Sequence, residues 1–395
     1  MSSFAHIPGH RFLHAPGPTH LHQVVLEAMS RQPLDHGDPR LPALVTACET
    51  GLTTLLGTQA AEVFMYAANG HGAWEAANVN LLAVGDKVLI PGTGHFSESW
   101  AVQTEALGAV VVRTPWVEGL PLDPAEIGAI LQADAGHQIK AVFTVHTDTA
   151  SGMTNDLVAI RKAIDDVGHP ALFVVDVVAS LGATPFDMDA LRANVVIGAS
   201  QKGLMGTPGL GFCAADAIAM EVARKNPYPR FYWDWVRRSA EHTYLKFCGT
   251  APQNLLMGLE AGFGLMEHEG MANVFQRHRR IAQATQAAVT QWGRKGQLGF
   301  FSKVEAARSV SVTAITVAAS IDVEALRTVA REQFQVAFAG GLGPLTGRIF
   351  RIGHLGDIND AMIMGCLGGI EAALYVQGIP FESGLAAAAR RLAQG

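Results

Sequence analysis

Residues 171–180 read ALFVVDVVAS, an apolar run with four valines that only Asp176 interrupts before the closing serine. A strand covered on one face alternates apolar with polar residues. This one does not, so both of its faces are expected to be buried, as in an inner strand of a parallel sheet layered with helices. Runs of the same kind lie on either side: KVLIPG (87–92), AVVVRTPW (109–116), IKAVFTVHTD (139–148) and NVVIGAS (194–200). Between them, LDPAEIGAILQAD (122–134) and NDLVAIRKAIDDVG (155–168) carry apolar residues at helical spacing, with acids near their starts. Strand–helix–strand alternation predicts an α/β fold with a mostly parallel central sheet, and ligand sites at the carboxyl ends of its strands.

From about residue 266 the texture changes. GMANVFQRHRRIAQATQAAVTQWG (270–293) is one long amphipathic helix. Strand-like SVSVTAITVA (309–318), a helix over 321–333, FQVAFAGG (334–341), GRIFRIGHLG (347–356) and a helix near 358–377 follow, and the alanine-rich 385–394 reads as a surface helix. The expected organisation is an N-terminal segment over 1–20, a large domain over 21–265 and a smaller α+β domain over 266–395.

Composition narrows the class. Of 395 residues, 49% are hydrophobic and 16% charged, which suits a well-buried globular chain and excludes disorder. A net charge of −6 with no basic run gives no footing for nucleic acid or an anionic membrane. Cys48, Cys213, Cys248 and Cys366 are scattered, without metal spacing, as expected of reduced thiols in a cytoplasmic protein. The N-terminal MSSFAHIPGHRF has no signal-peptide pattern, and no apolar run reaches membrane-spanning length.

Four clusters can carry chemistry. Asn69-Gly70-His71-Gly72 precedes a helix, where free backbone N–H groups suit a phosphate. Asp176 sits in an apolar strand, where a carboxylate needs a partner. Ser200-Gln201-Lys202 follows the apolar NVVIGA, and a lysine in a dry pocket becomes a nucleophilic amine. Arg351 interrupts the apolar FRIGHLG (350–356), where a guanidinium can grip a carboxylate through two hydrogen bonds. Singly, each has an ordinary structural reading: a glycine turn, a helix-capping acid, a snorkelling lysine, an interdomain ion pair. Together they supply what pyridoxal phosphate and an amino acid require.

The order and wording of these clusters resemble the class V aminotransferases of fold type I, in the alanine–glyoxylate and serine–glyoxylate group. The resemblance rests on APGPT (15–19), NGHGAWEAANVN (69–80), HTDTASG (146–152), DVVASLG (176–182), GASQKG (198–203) and AGGLGPLTGRIFRIGHLG (339–356). It implies a fold type I transferase that moves an amino group from a small L-amino acid (serine, alanine or aspartate type) to glyoxylate or a similar 2-oxo acid. By the same resemblance Lys202 is the Schiff-base lysine and general base, and Asp176 partners the pyridine nitrogen. Asn69, Gly70, His71 and Gln201 belong to the phosphate cradle, Phe96 stacks on the ring, Val178 packs on its other face, and Thr149 lies near the ring hydroxyl. Arg351 takes the substrate carboxylate. In the family a Tyr-x-x-Thr stretch reaches the phosphate from the neighbouring subunit of a homodimer. Here it reads Phe247-Cys248-Gly249-Thr250, so the threonine is kept and the tyrosine hydroxyl is missing. Trp74 and Glu75 are read as packing and capping, and His36 as a loop residue. The rival on the same scaffold is a lyase or desulfurase, for which Cys248 is the candidate thiol.

Overall fold

The computed structural model describes residues 9–394. Its main sheet has seven strands in the order Glu62–Ala67, Leu210–Ala215, Val195–Ala199, Leu172–Asp176, Ile139–Val145, Lys87–Ile90 and Val110–Arg113. The last five pair in parallel; Leu210–Ala215 runs antiparallel to both of its neighbours. The run at 171–180 lies at the centre, and its side chains divide between two cores. Phe173, Val175 and Val177 join one hydrophobic cluster, Leu172 and Val174 the other. The continuous apolar run is therefore an inner strand covered on both faces. Asp123 and Asp156 cap the two predicted helices, accepting from Ala125 N–H and Ala159 N–H.

A second sheet holds Phe12–His14, Val336–Gly340, Ile349–Gly353, Val312–Val317 and Leu298–Phe300 in that order. Its outermost member comes from the start of the chain: Phe12–His14 pairs in parallel with Val336–Phe338. Helices Met271–Trp292 and Asp360–Val376 close this sheet over a third core that includes Trp292, Ile315 and Phe350. The alanine-rich C-terminal helix, Leu385–Ala393, is not a free surface element. Ala388 is fully buried, and a Cβ on Gly384 would come within 2.5 Å of Ala288, so the helix docks on Met271–Trp292 at a distance only small residues allow. Among the described residues no helix is long and apolar enough to cross a membrane.

Candidate active site

Parallel strands deliver their last residues to one edge of the sheet, and the candidate groups collect there. Asp176 ends its strand; Ser200, Gln201 and Lys202 follow Val195–Ala199; Thr147 to Thr149 follow Ile139–Val145. A cavity of about 200 Å³ is lined by Asn69, Gly70, His71, Phe96, Thr149, Asp176, Val178, Gln201 and Lys202, with Gly17, Trp74, Val145, Thr147 and Ala179 completing its wall. Nine of the eleven residues proposed from sequence thus share one space. Arg351 and Thr250 do not line it. Three larger hollows lie elsewhere: about 710 Å³ beside Asp156–Arg192, about 320 Å³ beside Phe300 and Arg348, and about 910 Å³ between helices Arg40–Leu56 and Gln253–Glu269. None of them holds a buried amine beside a buried acid, so the smaller cavity is the candidate for chemistry.

The candidate phosphate cradle is the first turn of helix Gly70–Leu81. Asn69 caps it, its Oδ1 accepting from Gly72 N–H at 3.2 Å, and the first intrahelical bond runs from Ala73 N–H to Asn69 O. The N–H groups of Gly70 and His71 lie ahead of that bond and have no helical acceptor. Gly70 packs against Val178, whose Cγ2 would stand 3.2 Å from an added Cβ. Gln201 Oε1 is buried without a partner.

Asp176 is 3% exposed; Val178 N–H donates to its Oδ1 at 2.7 Å and the Trp74 indole N–H to its Oδ2 at 2.6 Å. Burial raises its carboxyl to about 6, against the pull of those two donors and of Lys202. Lys202 is 8% exposed, and burial, helped by the Arg351 charge, lowers its amine to about 8 while Asp176 and Asp148 oppose the shift. Its Nζ donates to Pro16 O, and Thr19 Oγ1 donates to Lys202 O at 3.3 Å, so the 15–19 segment straps the lysine at both ends. Gly17 has φ +116°, and a Cβ there would meet Lys202 Cδ at 2.5 Å, so only glycine suits this close approach.

Arg351 is 6% exposed and reaches the cavity wall through backbone. Its Nη1 donates to Thr149 O at 2.9 Å and its Nε to Gly340 O at 2.7 Å. Among the described residues no carboxylate lies within salt-bridge distance of it, and burial lowers its pKa to about 10. Asp148, buried, accepts from Phe96 N–H at 3.0 Å and Ala150 N–H at 2.8 Å, fixing the helix start that carries Phe96. Thr250 is exposed, in the loop after buried Phe247. His36 stands in an exposed turn with its ring edge-on to Tyr244.

Sequence reasoning missed three contributors: Trp74, Asp148 and the Pro16–Gly17 strap. Glu75 is not a cap, since the helix begins at Gly70 and leaves it in the second turn, where its Oε1 accepts from Trp233 Nε1–H at 3.0 Å. The signal for Trp74 was its place one turn beyond the cradle, on the same face as Gly70.

The layered sheet, its site at the strand ends and the smaller second sheet define a fold type I pyridoxal-phosphate-dependent transferase. The crystal structure of ureidoglycine–glyoxylate aminotransferase from Bacillus subtilis superposes with a TM-score of 0.89 at 26% identity, covering 99% of this chain and 100% of that one. The class V aminotransferase family matches residues 11–345, and the chain belongs to that family. It is 36% identical to serine–glyoxylate aminotransferase of Methylorubrum extorquens, over 98% of this chain and 96% of the relative. It is 37% identical to L-aspartate–glyoxylate aminotransferase of Paracoccus denitrificans, over 94% of each. The family's cofactor is pyridoxal phosphate, and the residues present fit it: helix-start N–H groups without acceptors, a buried acid, a buried amine and the Phe96 and Val178 walls.

Proposed function

We propose that this protein moves the amino group of a small L-amino acid, of the serine, alanine or aspartate type, to glyoxylate or a similar 2-oxo acid. The observation that carries this reading is the pair of buried opposites in one cavity, a lysine whose amine is lowered to about 8 and an acid raised to about 6. When bound, the cofactor supplies the electron sink that makes the substrate Cα–H bond acidic. Gly70 and His71 N–H groups, with Gln201, would hold its phosphate; Asp176 would keep its ring nitrogen protonated; Phe96 and Val178 would enclose the ring beside Thr149. Lys202 would hold its aldehyde carbon when resting. Once released, Nζ takes the proton from the donor's Cα and later returns one, acting as base and then acid. A lowered pKa keeps a working fraction of that amine neutral near physiological pH. Arg351, buried without a carboxylate partner, is suited to the substrate's own. The oxo-acid product leaves before the acceptor binds, which gives ping-pong kinetics.

A desulfurase needs an activated thiol at the site. Cys248 does not line the cavity, and burial raises Cys48 to about 12 and Cys213 and Cys366 still further. The transaminase reading is favoured for that reason. We also place the working form as a cytoplasmic homodimer. Support comes from exposed Thr250 and from the cluster of exposed Phe231, Tyr232, Tyr244 and Leu245 near it in the chain.

The test is direct. The purified holoenzyme should be yellow, borohydride should fix the cofactor to Lys202, and serine, alanine or aspartate should convert glyoxylate to glycine. Recovery of the reduced adduct on another lysine, or no transfer with any of these donors, would refute the reading.

A further inference from the structure

Trp74 is 2% exposed, on the helix whose first turn is the cradle. Its ring stacks on Trp100 with centroids 5.3 Å apart and planes within 7°, and Trp100 stacks in turn on Phe143 at 4.7 Å. The indole is therefore clamped, and its N–H points at Asp176 Oδ2, 2.6 Å away. An indole nitrogen only donates, and so does the Val178 N–H on the other oxygen. Neither neighbour can accept a proton from Asp176. Any proton the acid shares must go toward the cavity.

We propose that Trp74 is a positioning residue of this site: its N–H fixes the plane of the Asp176 carboxylate and holds it ionised, so that the acid meets the ring nitrogen as an acceptor. The inference rests on the reading that Asp176 faces that nitrogen. It also gives helix Gly70–Leu81 two tasks. Its first turn receives the phosphate, and one turn later it orients the acid at the other pole of the cofactor, so one rigid element sets the spacing between the two. The charged groups that act on Asp176 are Lys202, which favours its ionised form, and Asp148, which opposes it; His146 contributes a backbone N–H to Asp176 O at 2.9 Å.

The test separates hydrogen bond from packing. Trp74→Phe keeps an aromatic ring against Trp100 but removes the N–H. Incorporating 3-benzothienylalanine at position 74, with sulfur where the N–H was, keeps the shape as well and serves should the phenylalanine variant fold poorly. Two quantities are read: titration of the Asp176 carboxyl in cofactor-free protein by carbon NMR, and the Kd for pyridoxal phosphate by fluorescence titration. Loss of the N–H should move the carboxyl titration upward from its wild-type position of about 6. It should weaken pyridoxal phosphate binding roughly tenfold, the usual worth of a hydrogen bond to a charged acceptor. Added to Asp176→Asn, the same replacement should cost little more, because the two groups act as a unit. An unchanged carboxyl titration in both replacements would overturn the proposal, since a purely packing role lowers Tm and leaves the titration in place. Failure of the wild type itself to bind pyridoxal phosphate would instead refute the cofactor reading, and the titration would still decide what Trp74 does.

Discussion

Two stretches that resemble phosphate-holding segments end in opposite surroundings. Asn69 to His71 open a helix against the central sheet and line the cavity; Gly70 is buried on Val178. Residues 247–250 form a turn with Phe247 buried, Cys248 at φ +48° and Gly249 at φ +148°, and Thr250 exposed and outside the cavity wall. The first stretch is finished by the folding of one chain. The second presents its threonine hydroxyl to solvent, with no acceptor among the described residues. Completeness within a chain is therefore a physical criterion for which site residues a single subunit can supply.

The largest effect should come from the self-contained region. Lys202→Ala should reduce turnover to background, because the attachment point and the proton carrier vanish together; steady-state assay after reconstitution checks it. Measurable transamination at more than a trace would break the assignment. The complementary result sharpens the contrast. If two subunits share their sites as proposed, heterodimers of Lys202→Ala with Thr250→Ala would gather both lesions into one site and leave the other whole, so mixing two impaired parents should restore activity. With subunit exchange demonstrated and no recovery, Thr250 serves its own chain and the contrast drawn above fails.

Arg351 lies between the two extremes, finished by backbone carbonyls but, among the described residues, with no carboxylate in salt-bridge contact. Arg351→Lys keeps the charge and loses the fork, and should raise KM for the amino donor roughly tenfold with a smaller change in kcat. Equal KM values would show that the substrate carboxylate is held elsewhere.

The effect furthest from turnover concerns stability without cofactor. Lys202 titrates at about 8 in the folded protein against 10.5 when unfolded. Between those values the unfolded chain binds the proton and the folded chain does not, so stability should rise as pH increases through that window. Below it the folded protein carries a buried ammonium. Lys202→Met should therefore stabilise the cofactor-free protein at neutral pH by about 3 kcal/mol and flatten that rise, as read from urea unfolding at several pH values. A variant no more stable than wild type would mean the amine is hydrated in solution.

Much of this was legible in the sequence because burial on two faces leaves an unmistakable run, as at 172–176, and because a lone charge at the end of such a run must have a use. Strands Glu62–Ala67 and Leu210–Ala215 were not legible although they are no shorter than most of those that were: their antiparallel pairing depends on the path of the chain rather than on composition. The Trp74–Asp176 bond was hidden for a different reason. It joins residues 102 positions apart, and its existence depends on how a helix sits on a sheet. The alanine-rich tail misled because small side chains look indifferent to burial, when they are what lets Leu385–Ala393 approach Met271–Trp292 closely.

The chain's first strand has a mechanical consequence. Phe12–His14 is hydrogen-bonded into the second sheet, and Pro16, two residues on, offers its carbonyl to Lys202 at the edge of the main sheet. Two residues of backbone are too short to absorb much slack. A rotation of the second sheet as a rigid body would carry the Pro16 carbonyl with it, and the lysine would feel the swing. Position of that sheet and tethering of the amine are thus linked by a lever only a few ångströms long, built from the two residues that follow the strand Phe12–His14.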